Sequence, residues 1–264
     1  MEKFPILIRL ASPSKVFIQS LAAGADLRFA DPDGTPLDFQ IERWDVAAGK
    51  AEVWVKVPKI DANSDKDYIV AFWGKANPSW LSDGSKVFAA SLGFAGVWHL
   101  GEGGAQSRVN SVGTGNHGTP RNFDGDERRE GVIGMADSLD GSFNGDYLDV
   151  GSGFAGVGNG FTFSVWAFST VVRTYSHLMD FGNGMSTDNV VLGRSGNSQS
   201  IYYQAYNGSK ASLELIAENA IEERTWVHLG VTQTGNEVSL YKNGVKVVYM
   251  PNAVLLRNIL RTRN

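Results

Sequence analysis

The sequence has no cysteine in its 264 residues, which excludes disulfides, thiolate metal ligands and cysteine nucleophiles together. It has no excess of positive charge either, since 24 Lys and Arg face 28 Asp and Glu, so a nucleic-acid partner is not expected. No apolar run approaches the roughly 20 residues that cross a bilayer. Residues 1–10 lack the basic start and apolar stretch of an export signal. This segment is therefore predicted not to insert into a membrane.

Glycine and aromatic residues, by contrast, are abundant. There are 31 glycines, and Phe, Trp and Tyr make up 11% of the chain. Short runs rich in β-branched and aromatic residues alternate with turn-forming residues throughout the sequence. That pattern predicts an all-β protein.

The first 88 residues predict a small β-sandwich. Phe4, Ile6 and Ile8 repeat with a period of two, as in a half-buried strand. Tyr68–Trp73 is apolar on both faces and is predicted to be a central strand. The other strands predicted here are Asp26–Ala30, Leu37–Trp44 and Ala51–Val57.

A second set of strands follows a glycine-rich stretch, with the spacing of a larger sandwich or jelly roll. Asn243-Gly244 is a strong signal for a two-residue hairpin. Leu213–Asn219 is the one stretch with a hint of helical periodicity. The predicted strands are Gly96–Leu100, Tyr147–Val150, Phe161–Phe168, Ser176–Phe181, Asn189–Leu192, Ser200–Tyr206, Trp226–Gln233 and Glu237–Lys242.

Two groups of motifs resemble known families. DLRFADPDGTPLDFQIERWD, GKAEVWVKVPKI, DYIVAFWG and SDGSKVF resemble a domain of unknown function from bacterial envelope and surface proteins. GFAGVWHLGE, GNHGT, GVIG, GDYLDVG, FTFSVWA, WVHLGVT and VSLYKNGV resemble the laminin-G-like or concanavalin A-like jelly-roll family. The pair implies tandem domains in secreted proteins or in the periplasmic part of MotA/TolQ/ExbB-like proton-channel proteins.

The resemblance sets the expected domain bounds. A sandwich domain over 1–88 is followed by a linker at 89–95, a jelly roll over 96–250 and a frayed or atypical tail at 251–264. Jelly rolls of this family usually close with a strand resembling F-x-G-x-I-D-E-V-R-I, whereas this sequence ends RNILRTRN. We therefore expect a jelly roll without its closing strand, in a piece of a longer protein. An exposed sheet edge near Val238–Tyr249 is expected to be prone to pairing with other chains.

Calcium is the one cofactor that the resemblance suggests. Similar domains hold it with an aspartate in a loop like NSVGTGNHG, where this chain has Asn110, so a hard cation loses a formal charge there. A second oxygen-rich turn offers Asp140, Asn144 and Asp146 as ligands. The alternative for that turn is that Asp, Asn and Gly are simply the preferred turn residues.

Catalytic motifs are absent from the sequence. There is no E-x-D-x-x-E string of the laminarinase type, no H-E-x-x-H and no G-x-S-x-G. The protein is therefore predicted not to be an enzyme. A glycoside hydrolase is a further alternative, which needs two carboxylates about 5–5.5 Å apart in a cleft.

Sugar binding needs an exposed ring beside amide and carboxylate groups. Alternation places Tyr202 and Tyr206 on one face of a strand and Tyr203 on the other. Trp98, Trp166 and Trp226 fall in strand motifs and are predicted to belong to the core. The predicted ligand-binding residues are Tyr202, Tyr206, Asn207, Asp180, Asn183 and Trp80.

These observations predict a non-enzymatic recognition module, periplasmic or extracellular, that binds a polysaccharide or a surface protein. The alternative is a periplasmic scaffold or sensor portion of an ExbB/TolQ-like biopolymer-transport protein. Transmembrane helices encoded outside this segment would favour that alternative.

Overall fold

A computed structural model describes residues 1–141, 145–153, 156–174, 176–253 and 255–263. The chain forms two compact units: unit 1 is Met1–Gly118 with Phe123–Ser138, and unit 2 is Thr119–Asn122 with Leu139–Asn264. None of the helices that the structure describes is long and apolar enough to cross a bilayer. The all-β class predicted from the sequence is confirmed.

The described residues contain eighteen strands and a few short helical segments. The helices are α1 (Lys15–Gln19) and α2 (Gly84–Val87), with 3₁₀ turns at Ala22–Gly24, Ala90–Leu92 and Gly156–Asn159. The strands are β1 (Glu2–Ala11), β2 (Arg28–Ala30), β3 (Pro36–Leu37), β4 (Phe39–Asp45), β5 (Lys50–Lys59), β6 (Val70–Phe72), β7 (Thr119–Arg121), β8 (Arg128–Glu130), β9 (Met135–Asp137), β10 (Tyr147–Asp149), β11 (Phe161–Phe168), β12 (His177–Phe181), β13 (Val190–Arg194), β14 (Ile201–Asn207), β15 (Lys210–Ala217), β16 (Trp226–Thr234), β17 (Glu237–Lys242) and β18 (Val245–Met250).

Unit 1 is built on two three-stranded sheets, β1-β5-β4 and β3-β2-β6. Their apolar faces meet in a core that includes Phe29, Phe39 and Val53, and the rings of Phe29 and Phe39 meet edge to face at 5.5 Å. The predicted small sandwich is confirmed. The predicted central position of Tyr68–Trp73 is wrong, because β6 lies at the edge of its sheet beside β2 and Phe72 is 52% exposed.

Unit 1 extends beyond the predicted linker at 89–95. Phe88 and Val112 are buried in one cluster, and Phe94 and Val97 pack against it. Asn110 fixes the following loop, since its Oδ1 accepts hydrogen bonds from the backbone N–H groups at positions 97 and 112 and its Nδ2 donates to the carbonyl of Gly115. This apolar cluster explains why the units divide later in the chain than the sequence indicates.

Unit 2 contains two four-stranded antiparallel sheets, β11-β16-β17-β18 and β12-β13-β14-β15. Alternate residues of each strand enter one core, among them Leu192, Ile201, Leu229 and Leu240, all with no exposed surface. One polar bond crosses this core, where the Tyr203 hydroxyl donates to Gln233 Oε1 at 2.9 Å. Burial raises the pKa of Tyr203. The residues that alternate with these core residues point away from the core, toward the outer face of each sheet.

Local details of unit 2 confirm one prediction and overturn another. The Asn243-Gly244 hairpin joins β17 to β18, with positive φ of 50° and 79° as its turn type requires. Leu213–Asn219 is not helical, because most of it belongs to β15, which pairs with β14 and turns Leu215 and Ala217 into the core. Core packing overrides the weak helical pattern.

The segment at 255–263 packs onto unit 2 and is not frayed. Leu256 is buried at 7% exposure, and Arg261 is fully buried with its Nε donating to the Asp188 carbonyl at 2.9 Å. Gly182 and Arg263 exchange backbone hydrogen bonds of 2.9 and 3.0 Å. This short pairing covers the chain just after β12. Burial lowers the pKa of Arg261.

Candidate functional site

The outer face of β12-β13-β14-β15 carries part of the predicted sugar site; it is called the polar face below and is defined by His177, Asp180, Gly193, Tyr202 and Gln204. The Tyr202 hydroxyl lies 3.1 Å from His177 Nε2, and His177 Nδ1 lies 3.4 Å from Asp180 Oδ2. These contacts form a row because the cross-strand register places His177 and Tyr202 on either side of Gly193.

The polar face is closely packed at Tyr202. That side chain is only 8% exposed, so its ring offers little surface to a ligand. A Cβ added to Gly193 would lie 2.9 Å from the Ser176 carbonyl, 3.1 Å from the His177 ring and 3.2 Å from the Tyr202 ring. Tyr202 therefore contributes a hydrogen-bonding hydroxyl here and lacks the exposed stacking surface that the sequence suggested.

The other predicted ligand-binding residues are spread over the molecule. Tyr206 is half-buried on the same side of β14 as Tyr202, and Asn207 is exposed at the end of that strand. Asn183 bonds to the backbone of the C-terminal segment, donating to the Leu260 carbonyl at 3.1 Å. Trp80 is 55% exposed and belongs to unit 1. The structure thus brings Asp180 and Tyr202 together through His177.

The predicted calcium ligands are only partly described. Asp140 and Asp146 each accept a 3.1 Å hydrogen bond from the other's backbone N–H, whereas Asn144 lies outside the described residues. Within the described ranges, no three His, Cys, Asp or Glu side chains are grouped so that they could hold a metal ion. The Asn110 amide is occupied by its own loop, and its bond to the Gly115 carbonyl needs a donor that aspartate lacks. Calcium binding stays a prediction.

A second candidate site lies on the outer face of β11-β16-β17-β18. In β11, alternation turns Phe161, Phe163 and Val165 toward the core and leaves Trp166 and Phe168 on the outside. Their side chains are 40% and 42% exposed. The prediction that Trp166 belongs to the core is therefore wrong.

Cross-strand pairing groups these rings with two more. Trp166 lies opposite His228 and Phe168 lies opposite Trp226 in the β11–β16 register. The ring centroids are 5.2 Å apart in the first pair and 5.4 Å apart in the second, with tilted planes. Trp226 is half-buried on this outer side and is likewise not a core residue. These four side chains define what is called the aromatic face.

Few charged side chains lie on the four strands that carry the aromatic face. Burial lowers the pKa of His228, which disfavours the charged form of its ring. The Lys246 ammonium lies 5.1 Å from the centroid of the Tyr249 ring, and the Tyr249 hydroxyl donates to Glu237 at 2.9 Å. An apolar set of rings beside hydroxyl groups suits the stacking of a ligand that has both C–H faces and hydroxyls.

The sequence contained a signal for this face. In FTFSVWAF the polar Thr162 and Ser164 are in phase with Trp166 and Phe168. Period-two alternation alone therefore turns the tryptophan outward. The assignment of Trp166 to the core rested on its position in a strand motif of the family and did not use that phase.

Two family matches divide the chain. Residues 23–99 match a domain of unknown function (DUF2341), and residues 140–252 match the concanavalin A-like lectin/glucanases superfamily. No curated protein gives a significant match.

Several solved structures are similar to this chain at low sequence identity. The CBM40 of the Ruminococcus gnavus IT-sialidase, bound to α2,3-sialyllactose, is 13% identical with a TM-score of 0.35, over 39% of this chain and 63% of that chain. An S-layer domain-containing protein from Clostridium thermocellum is 21% identical with a TM-score of 0.40, over 60% of this chain and 73% of that one. Domains LG4-5 of the mouse laminin α1 chain are 10% identical with a TM-score of 0.30, over 98% and 74%.

The order of the two family matches agrees with the order of the sequence motifs. Along the chain, a match to the domain of unknown function (DUF2341) at residues 23–99 is therefore followed by a match to the concanavalin A-like lectin/glucanases superfamily at residues 140–252.

Proposed function

We propose that unit 2 is a non-catalytic carbohydrate-binding module that works outside the cytoplasm and holds a polysaccharide on its aromatic face. The observation that carries this proposal is the exposure of Trp166 and Phe168, each paired with a further ring on β16. Clustered exposed apolar surface on a soluble protein marks a binding site more often than single exposed residues do. The C–H face of a sugar ring stacks well on such side chains.

The dimensions of the sheet suit a chain of sugars. Side chains two residues apart on a strand are separated by about 6.5–7 Å, and neighbouring strands by about 4.8 Å. The Trp166–His228 and Phe168–Trp226 pairs therefore follow one another along the strands at roughly the length of one sugar residue. Ser164 and Thr232 on the same face supply hydroxyls beside the rings.

The polar face is the rival location for the site, because it contains Tyr202 and Asp180. Its hydroxyl and carboxylate groups bond within the protein, as described above, and its tyrosine ring is buried. The aromatic face keeps its rings accessible. The scaffold alternative stays a prediction, since no observation on the described residues favours it.

A glycan array tests the proposal. The chain is probed beside Trp166→Ala and the matched control Tyr206→Ala, an aromatic truncation on the opposite sheet, with circular dichroism to show that all three are folded. We expect binding to a polysaccharide class that Trp166→Ala weakens at least about tenfold, the loss of one good ring contact, and that Tyr206→Ala leaves unchanged.

Two results would contradict this assignment. Loss of binding in Tyr206→Ala with full binding in Trp166→Ala would move the site to the polar face. A folded chain that binds no glycan would remove the carbohydrate function. An EDTA-treated sample run in parallel tests the calcium prediction at Asp140 and Asp146.

A further inference from the structure

We propose that β11 pairs with β11 of a second copy of this chain, antiparallel and with Ser164 at the two-fold axis, so that unit 2 forms a symmetric dimer. In the part of the chain that the structure describes, β11 lies at one end of the sheet β11-β16-β17-β18. The backbone N–H and carbonyl groups on the outer side of such an edge strand are a template for a further strand. The inference is independent of the ligand of the aromatic face.

Three of the four edge strands of unit 2 have features that discourage such pairing. Charged side chains and irregular register are common protections of an edge. β18 has Lys246 and a register shift, and β12 has Asp180 and a register shift after His177. β15 carries Lys210 and Glu214.

β11 has none of these features. Its sequence, FTFSVWAF, contains no charged residue and no proline, and it pairs with β16 over all eight residues without a register shift. Trp166 and Phe168 are exposed on its outer side, and Val165 on its inner side is only partly buried, whereas Leu229, opposite Val165 on β16, has no exposed surface. A regular, uncharged edge with apolar side chains on both faces favours the addition of a strand.

The order of residues in β11 suits a second β11 as that strand. In an antiparallel pair, residues that lie opposite each other share one face of the sheet, and a ring beside a smaller or β-branched side chain is a favourable pair. When Ser164 lies opposite its own copy, inward residues face inward ones and outward residues face outward ones. Each bulky ring then faces a smaller side chain of the other copy: Phe161 faces Ala167, Phe163 faces Val165 and Trp166 faces Thr162.

This pairing also limits the size of the assembly. A two-fold interface uses the same strand of both copies, so both β11 edges are consumed when the dimer forms. The joined sheet of eight strands then ends in β18 on either side, where Lys246 and the register shift lie. We therefore expect the association to stop at a dimer.

Sedimentation equilibrium of the full chain over a series of concentrations tests this inference. The variants are Ser164→Lys and Ser164→Glu, and the matched control is Val247→Lys on β18, the opposite edge of the same sheet. Ser164 and Val247 are both exposed, so we expect all three variants to fold. Circular dichroism and the denaturation midpoint check this. An equimolar mixture of the Ser164→Lys and Ser164→Glu chains tests the register.

The expected result is a dimer whose dissociation constant rises at least about tenfold in Ser164→Lys and in Ser164→Glu, because like charges then lie directly opposite each other. Val247→Lys should leave the constant unchanged. The mixture should recover dimers, because opposite charges then meet across the axis.

Four results would count against the proposal. A folded chain that is still monomeric at about 1 mM would overturn it. A dimer that neither Ser164 variant weakens would place the interface on another surface, and one that only Val247→Lys weakens would place it at β18. Weakening by both Ser164 variants without recovery in the mixture would overturn the register centred on Ser164.

Discussion

Two glycines occupy the middle of strands on opposite sheets of unit 2, and they differ in what surrounds them. Gly193 lies on the polar face beneath the rings of His177 and Tyr202, where an added Cβ would come within 2.9 Å of a backbone carbonyl. Gly230 lies on the other sheet beside Trp166 and His228, where the same atom would meet nothing closer than 3.5 Å. One glycine is required by packing and the other is not.

The difference extends to the whole of each face. The polar face uses its hydrogen-bonding groups internally: Asn189 Nδ2 donates to Asp180 at 2.7 Å, and His177 links Asp180 to Tyr202. The aromatic face pairs its rings with one another and leaves Trp166 and Phe168 exposed. A surface whose polar groups already have partners offers few to a ligand, which is why we place the site on the aromatic face.

The largest expected difference in the free energy of unfolding comes from substituting each of the two glycines by alanine. Gly193→Ala should lower the free energy of unfolding by ~1–3 kcal/mol, the usual result of overpacking. Gly230→Ala should raise it by up to ~1 kcal/mol, because alanine restricts the unfolded chain more than glycine does. Denaturant unfolding followed by tryptophan fluorescence measures both, and equal losses would show that the two positions are equally filled.

The adjacent tyrosines of β14 allow a hydrogen bond in the core to be compared with one on the polar face. Tyr203→Phe leaves Gln233 buried without its 2.9 Å partner and should cost ~1–3 kcal/mol of unfolding free energy. Tyr202→Phe removes a bond to His177, whose side chain is 40% exposed and can turn to water, so it should cost only ~0.5–1.5 kcal/mol. A larger cost at Tyr202 would mean that the polar face stabilises unit 2 more than its core bond does.

Ring pairing on the aromatic face predicts a smaller, cooperative effect. A double-mutant cycle on Phe168→Ala and Trp226→Ala should give a coupling energy of ~0.5–1.5 kcal/mol, as aromatic pairs do. The control cycle combines Phe168→Ala with Tyr206→Ala, residues on different sheets that should be additive. Additivity in both cycles would show that the two rings are neighbours without mutual stabilisation.

Sequence patterns predicted most of the strands of this fold. The predictions failed where contacts between residues distant in sequence determine the local structure. Phe161–Phe168 and Glu237–Lys242 were predicted with the bounds that the structure shows. Leu213–Asn219 was misread because its strand conformation depends on pairing with β14 and on packing in the core, which the local sequence does not show. The outward phase of Trp166 was readable from Thr162 and Ser164. No local pattern distinguishes Gly193 from Gly230, because the difference lies in side chains contributed by other strands.

The sheet edge near β18 shows the same limit. The absence of the family's closing strand predicted an exposed edge near Val238–Tyr249 that is prone to pairing with other chains, and Val245 is 64% exposed. The register, however, shifts between Leu240 and Tyr241, so that β18 has one extra residue and bulges at Val247. A bulge and an adjacent lysine, here Lys246, are common protections of an edge strand. We therefore expect this edge to pair with other chains less readily than its exposure alone indicates, because of a bulge that only the register reveals.

Acid titration predicts the smallest effect and again separates the two faces. Because burial lowers the pKa of His228 below that of the unfolded chain, the unfolded state binds more protons between the two values. The contribution of His228 is thus fully present above the unfolded pKa, near 6.5, and is lost as the pH falls through the folded pKa. His228→Gln should remove this part of the pH dependence of the denaturation midpoint, whereas His177→Gln should leave it in place. An identical pH profile in wild type and His228→Gln would show that this imidazole has the same pKa in the folded and unfolded chains.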